Sequence, residues 1–347
     1  MSSPSNPSKT GTSRRWAWLI GLAVTVALLA WVLQDVSPRA VIAYARGANI
    51  SLLLLAVFLA TLTFPLRTIR WRLILRDAGG QPLPWLPLWH ATAIGFMANN
   101  LLPARAGEVA RAYVAGREMP VRFTTALGSV GVERVFDALI MLALMAVAIA
   151  APSFPANTVV QGRSLSGLAT AAAILFGTIL LLALGVVHRP APWLALLGRI
   201  THRLLPTRIA DRLTHWAEGI VEGLSVLKSP ARFAGVVLWS LVLWGTNAAA
   251  FAVCFRAFGL PVPLEAALLL QGIIGFGVAV PSTPGFVGVF EAATRITLGI
   301  YAVDASRAVS YALTYHLTTF LPITLLGLWS LSRLHLRLGE LREGDGA

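Results

Sequence analysis

The apolar positions of this 347-residue chain fall into long unbroken runs, not into alternating or one-sided stripes. Runs near 16–34, 50–66, 123–150, 164–187, 233–255 and 308–331 each approach the roughly 20 residues that a bilayer-crossing helix needs, and they predict six full spans. Two further apolar regions, about 86–118 and 265–300, are interrupted. The first breaks at Asn99-Asn100-Leu101-Leu102-Pro103 and the second at Pro281-Ser282-Thr283-Pro284-Gly285. Proline and glycine at such density end a helix. The pieces on either side reach only about 20–25 Å at ~1.5 Å per residue, short of a hydrocarbon core about 30 Å thick. Broken backbone at membrane depth persists only where protein or a polar cavity satisfies its free N–H and C=O groups, so both breaks are expected to face an interior.

Composition narrows the class. Hydrophobic residues make up 56% of the chain and charged residues 12%, with a mean hydropathy of +0.73. That excludes the soluble classes and predicts an all-α polytopic membrane protein. The net charge of +13 is of a size seen in nucleic-acid binders. Here the basic residues cluster beside apolar runs, so they are read as topology signals and lipid head-group contacts, with no nucleic-acid partner. Cys254 stands alone in an apolar run, which excludes a disulfide framework and a thiolate metal cluster. The six histidines show no metal-ligand spacing. No nucleophile–base arrangement or phosphate-cradling loop is present in the sequence, so no metal, cofactor or enzymatic activity is expected.

Charge placement then predicts topology. Arg14 and Arg15 place the N-terminus in the cytoplasm, with 1–15 read as a disordered tail. The run at 50–66 returns to a basic segment holding Arg67, Arg70, Arg72 and Arg76. If 86–102 crossed fully, Arg105, Arg111, Arg117 and Arg122 would lie outside, against the positive-inside tendency. A hairpin that dips in and returns keeps them inside, and the same logic makes 265–300 a dip from the opposite face. The expected architecture is six spans plus two re-entrant helical hairpins in one transmembrane domain, 16–335. Segments 50–150 and 233–331 form inverted repeats, joined by an amphipathic interfacial linker at 190–228. The tail 336–347, with Arg337 and Arg342, is read as cytoplasmic. Inverted repeats with discontinuous helices are an alternating-access transporter design.

Candidate chemistry concentrates at the breaks. Asn99 or Asn100 can close one half-helix in a left-handed cap, with Pro103 in the first turn of the next. Thr283 fits an N-cap followed by Pro284. Each break would then aim a partly positive helix N-terminus inward, where a phosphate is favoured. Gly285 and Gly288 would permit close backbone approach. Arg105, Glu108 and Arg111 lie three apart on one helix. They suit either a solvated face or two guanidiniums on a lipid phosphate, oriented by Glu108.

Glu133, Arg134 and Asp137 fall near mid-bilayer in an otherwise apolar run. Two carboxylates against one arginine leave a spare acid, able to hold a proton or to pair with Arg105 or Arg295. The alternative is a self-neutralising structural cluster. Glu291 and Arg295, spaced i,i+4, are read as the counterpart in the second dip, with a plain intrahelical pair as the alternative.

The segments Arg70-Trp71-Arg72, Asn99 to Glu108, Glu133-Arg134-Val135-Phe136-Asp137 and Pro281 to Gly285 together resemble the flippase-like family related to the membrane domain of lysylphosphatidylglycerol synthase, over about residues 15–335. The resemblance implies a multi-pass bacterial or archaeal inner-membrane protein that moves a phospholipid, or another lipid-linked anionic head group, between leaflets. The aminoacyl-transferase domain that follows the membrane domain in the full synthase has no counterpart in these 347 residues, so lysyl transfer is not expected. The expected head-group site comprises Asn99, Asn100, Arg105, Gly107, Glu108, Arg111, Ser282, Thr283, Gly285 and Gly288. The expected charge switch comprises Glu133, Arg134, Asp137, Glu291 and Arg295. A membrane lipid is the expected partner. The alternative is a non-transporting protein that holds a lipid for a lipid- or glycolipid-modifying enzyme or an exporter.

Overall fold

Small polar residues open four of the helices. The side chains of Ser37, Asn49, Ser229 and Asp304 each accept a hydrogen bond from the backbone N–H three residues on, satisfying a donor that a helix start leaves without a partner. The computed structural model describes residues 9–102, 106–155, 189–207, 229–278 and 283–343, with scattered positions between 159 and 181 and between 209 and 217. The helices are α1 (Lys9–Leu33), α2 (Pro38–Gly47), α3 (Ile50–Ile74), α4 (Trp85–Leu101), α5 (Ala106–Glu118), α6 (Phe123–Ala150), α7 (Pro190–Leu204), α8 (Pro230–Ala257), α9 (Glu265–Gly277), α10 (Val289–Ile300), α11 (Ala305–Arg333) and α12 (Glu340–Glu343). Besides helices, the described residues hold a two-residue antiparallel pairing, β1 (Val159–Val160) with β2 (Arg163–Ser164), and a single bridge between Arg76 and Pro82.

Among the described residues three helices, α3, α8 and α11, are long and apolar enough to cross a membrane. The apolar part of α1 and the short α2 pass the same test together, bent by 82°. At 28 residues α6 has the length, but Glu133, Arg134 and Asp137 interrupt its apolar character. The run at 164–187 lies largely outside the described residues, as do residues 1–8 and most of 208–228. Helix α1 already begins at Lys9, inside the stretch read as a disordered tail. At the other end the chain folds back. Leu336 and Leu341 are buried, and Glu340 meets Arg117 of α5 at 2.8 Å.

Each interrupted region is a pair of short helices folded against each other. Helices α4 and α5 hold 17 and 13 residues, and α9 and α10 hold 13 and 12, each too short for a full crossing. Gly95 faces Arg111 while Asn99 faces Gly107, so α5 runs back along α4. Gly107 has no room for a side chain: a Cβ there would collide with the Gly95 carbonyl and with Asn99.

One correction reshapes the core. The second span does not end near residue 66. Helix α3 continues through Pro65 to Ile74, and Arg67 and Arg70 are buried within it instead of lying in a basic loop. Along α3, Leu53, Ala56 and Ala60 join one apolar cluster with α8, α9, α10 and α11. Trp71 and Leu75 join a second, with α4, α5 and the start of α6. Arg67 and Arg70 fall between the two clusters. On α11, Thr319 and Thr324 likewise fall between residues of the first cluster and Leu331 of the second. A buried polar layer thus separates two apolar cores. Leu54, Phe58, Leu238, Leu317 and Leu325 are exposed on the same helices, as suits a face turned to lipid tails.

Candidate functional site

The polar layer is organised around carboxylates that α6 carries into the interior. Glu133 and Asp137 lie one turn apart on one face and are both buried. The Arg70 guanidinium reaches both, with Nη2 at 3.3 Å from Glu133 Oε1 and Nη1 at 2.5 Å from Asp137 Oδ1. Ser240 accepts from Arg70 Nη1 at 3.2 Å, and Trp244 Nε1 donates to Asp137 Oδ1 at 2.9 Å. The other Glu133 oxygen pairs with Arg111 of α5, which packs 3.7 Å over the Trp71 ring. Trp71 in turn donates to Ser129 at 2.8 Å. The cluster therefore ties α3, α5, α6 and α8 together. Removing one member of a buried pair leaves its partner's charge uncompensated, which costs about 3–5 kcal/mol.

Arg134 points the other way. It is partly exposed, 3.2 Å from Asp137 Oδ2 and 3.8 Å from Glu108. The sequence reading of two acids against one arginine is thereby reversed. Arg70 and Arg111 consume the charge of Glu133 and Asp137, so no acid is left over. Arg67 is buried at 8% exposure, lies 4.9 Å from the ring centroids of both Phe96 and Trp244, and makes no hydrogen bond or ion pair among the described residues.

The two breaks differ from the caps read in the sequence. Asn99 and Asn100 remain inside α4, which ends at Leu101 and is followed by Leu102 in an extended conformation instead of a left-handed one. Asn99 Oδ1 accepts from the Gly107 N–H at 2.9 Å and so caps the start of α5 across the break. Asn100 donates to Thr324 of α11 at 3.0 Å. Pro103 and Arg105 lie outside the described residues, as do Pro281 and Ser282.

In the second break Thr283 precedes a single 3-10 turn, Pro284–Phe286, and bonds sideways to Thr25 of α1 at 3.1 Å instead of capping it. Gly285 and Gly288 take φ of 73° and 85°, a region where a Cβ is strained. Helix α10 starts only at Val289, and the Gly288 N–H donates to Glu291 at 2.6 Å. That carboxylate already occupies the helix end which the sequence assigned to an anionic ligand.

Glu291 and Arg295 do not pair with each other. Arg295 donates to the carbonyls of Trp31 and Val32 at 2.5 and 2.6 Å, satisfying the end of α1. Glu291 instead meets His316 Nδ1 at 2.6 Å, while His316 Nε2 lies 2.9 Å from the Gly285 carbonyl. Both ring nitrogens face oxygens.

The expected head-group residues are thus divided. Gly107, Asn99, Asn100 and Glu108 gather around the first break, with Thr283, Gly285 and Gly288 at the second. Arg111 belongs to the buried charge network. Sequence reasoning missed Arg67, Arg70, Trp244 and His316. The first two stand among four arginines after Pro65, which match the basic flank of a span and so hid them. Trp244 and His316, isolated in long apolar helices, gave no signal.

Known proteins resemble this chain in sequence. The family described as the lysylphosphatidylglycerol synthase TM region matches residues 18–327. Glycosyltransferase AglD of Haloferax volcanii is 28% identical over 334 residues, covering 88% of this chain and 52% of AglD. This chain therefore spans about half the length of that relative. The UPF0104 membrane protein PH1989 of Pyrococcus horikoshii is 23% identical over 324 residues, covering 89% of this chain and 93% of PH1989. The match reaches from α1 to within α11 and includes both interrupted segments and the charge network, and the chain belongs to the lysylphosphatidylglycerol synthase transmembrane-region family.

Proposed function

We propose that this protein is a lipid flippase-like transporter, moving a phospholipid or another lipid-linked anionic head group between the leaflets of a bacterial or archaeal inner membrane. The observation that carries this reading is the polar layer. Both interrupted segments reach it through α11, via Asn100–Thr324 and Gly285–His316. Moving a head group through such a layer, with acyl chains left along the exposed leucines, avoids much of its desolvation cost. The two short helix pairs take the place of re-entrant hairpins in an inverted repeat, with both termini cytoplasmic. The protein acts on no covalent bond itself. The charge network and the His316–Glu291 pair are the elements whose rearrangement would gate the path.

A second reading draws on one comparison. A protein named as a glycosyltransferase matches 88% of this chain with about half its own length. A membrane unit that presents a lipid-linked substrate to an enzyme would also need the polar layer, but no mobile gate.

The two readings separate in proteoliposomes. Fluorescent phosphatidylglycerol in the inner leaflet becomes accessible to an impermeant quencher only if it is moved. Transport predicts faster loss of protected signal with protein than without. Lipid that co-purifies with the protein without any such acceleration would favour the holding role.

A further inference from the structure

Among the described residues the charged cluster is not neutral. The buried Arg67, Arg70 and Arg111 and the partly exposed Arg134 face the buried Glu133 and Asp137 and the partly exposed Glu108, four guanidiniums against three carboxylates, and the cation without an ion pair is Arg67. Its guanidinium has five N–H donors and no acceptor among the described residues. Holding a guanidinium largely out of solvent without an acceptor is costly unless something fills its donors. Beside it, Arg70 Nε and the Nε and Nη2 atoms of Arg111 are fully buried without acceptors. One carboxylate oxygen there, Asp137 Oδ2, is also buried without a hydrogen bond, so among the described residues unfilled donors outnumber unfilled acceptors.

Position gives the unpaired cation its meaning. Arg67 is held against Phe96 of α4 and Trp244 of α8. Phe96 lies one turn before Asn100 and the first break. Trp244 is bonded to Asp137, so the ring that supports Arg67 also braces the charge network. A cation placed beside two aromatic rings keeps its orientation without an acid partner. An acid partner would have cancelled its charge, whereas the rings leave it available.

We propose that Arg67 is the residue that receives the phosphate of the transported lipid, a phosphodiester or phosphomonoester oxygen filling its vacant N–H donors. The planar fork of arginine matches two phosphate oxygens. This inference rests on the lipid-moving reading for its ligand, but it assigns the cation that the sequence had placed at Arg105 and Arg111. Arg111 is committed to Glu133 and serves to hold α5 against α6.

The test is equilibrium binding to the purified full chain in neutral detergent, followed by calorimetry. The probes are dioctanoyl phosphatidylglycerol, dioctanoylglycerol, which has the same tails and no phosphate, and inorganic phosphate. Arg67→Gln is expected to weaken phosphatidylglycerol about tenfold or more, in line with a lost hydrogen bond to a charged group. Binding of dioctanoylglycerol is expected to stay unchanged. Arg67→Lys, which keeps the charge and loses the fork, is expected to recover part of the affinity. Equal phosphatidylglycerol affinity in wild type and Arg67→Gln would overturn the proposal, as would parallel loss of both lipids in Arg67→Gln and Arg67→Lys. Inorganic phosphate binding as tightly as the lipid would overturn the lipid assignment.

Because no membrane is involved, this outcome is independent of transport. Selective loss in Arg67→Gln alongside a wild type that moves no lipid would retain the site and retire the transporter reading. Unchanged binding in a protein that does move lipid would do the reverse.

Discussion

The carbonyl oxygen of Asn100 lies 3.7 Å from where a Cβ on Gly285 would stand, so the two interrupted segments touch although 185 positions separate them in the chain. The contact depends on Gly285 being bare. Its φ is 73°, and an added Cβ would also press on the Phe320 ring at 2.9 Å. Replacing Gly285 with alanine should cost about 1–3 kcal/mol through backbone strain and overpacking together. Thermal unfolding in detergent would register this as a lowered midpoint. Gly245→Ala in α8, where nothing lies within 4 Å of the new methyl, should be neutral or stabilising by up to about 1 kcal/mol.

Gly107→Ala should be worse than Gly285→Ala. The new Cβ would meet the Gly95 backbone and Asn99, neither of which can yield without parting α4 from α5. Loss of folded protein during purification, or destabilisation of more than about 3 kcal/mol, is the expected outcome. Wild-type behaviour would contradict the close backbone approach.

The charge network should show strong non-additivity. Glu133→Gln strands Arg111 and half of Arg70 and should destabilise by about 3–5 kcal/mol. Adding Arg111→Met to it removes the stranded charge and should restore a large part of that loss. Additive effects in this cycle, read from unfolding midpoints, would mean that the two residues are not coupled.

Glu291 and Arg295 should behave as strangers. Arg295→Ala removes donors to the Trp31 and Val32 carbonyls, whereas Glu291→Gln acts on Gly288 and His316. Their double mutant should be additive within about 0.5 kcal/mol, while Glu291→Gln with His316→Ala should couple by more.

Much of this architecture was legible in the sequence for physical reasons. Uninterrupted apolar runs leave few alternatives to long helices, and Pro103 or the Pro281 to Gly285 stretch leaves few alternatives to a break. The buried carboxylates of α6 were legible because charge inside an apolar run is conspicuous. Their partners were not. Arg70 looked like a loop residue, because four arginines after Pro65 match the usual flank of a span. Only tertiary packing shows that α3 continues and turns Arg67 and Arg70 inward. The i,i+4 spacing of Glu291 and Arg295 suggested a pair, yet spacing along one helix says nothing of competitors on others. The end of α1 offered Arg295 two free carbonyls, and α11 offered Glu291 a histidine.

The most direct measurement is the rate at which labelled phosphatidylglycerol changes leaflets in proteoliposomes of the wild type, of Arg67→Gln and of protein-free controls. Fast exchange is expected with the wild type, and a rate near the control for Arg67→Gln at matched folded protein. Wild-type vesicles no faster than the protein-free controls would contradict it.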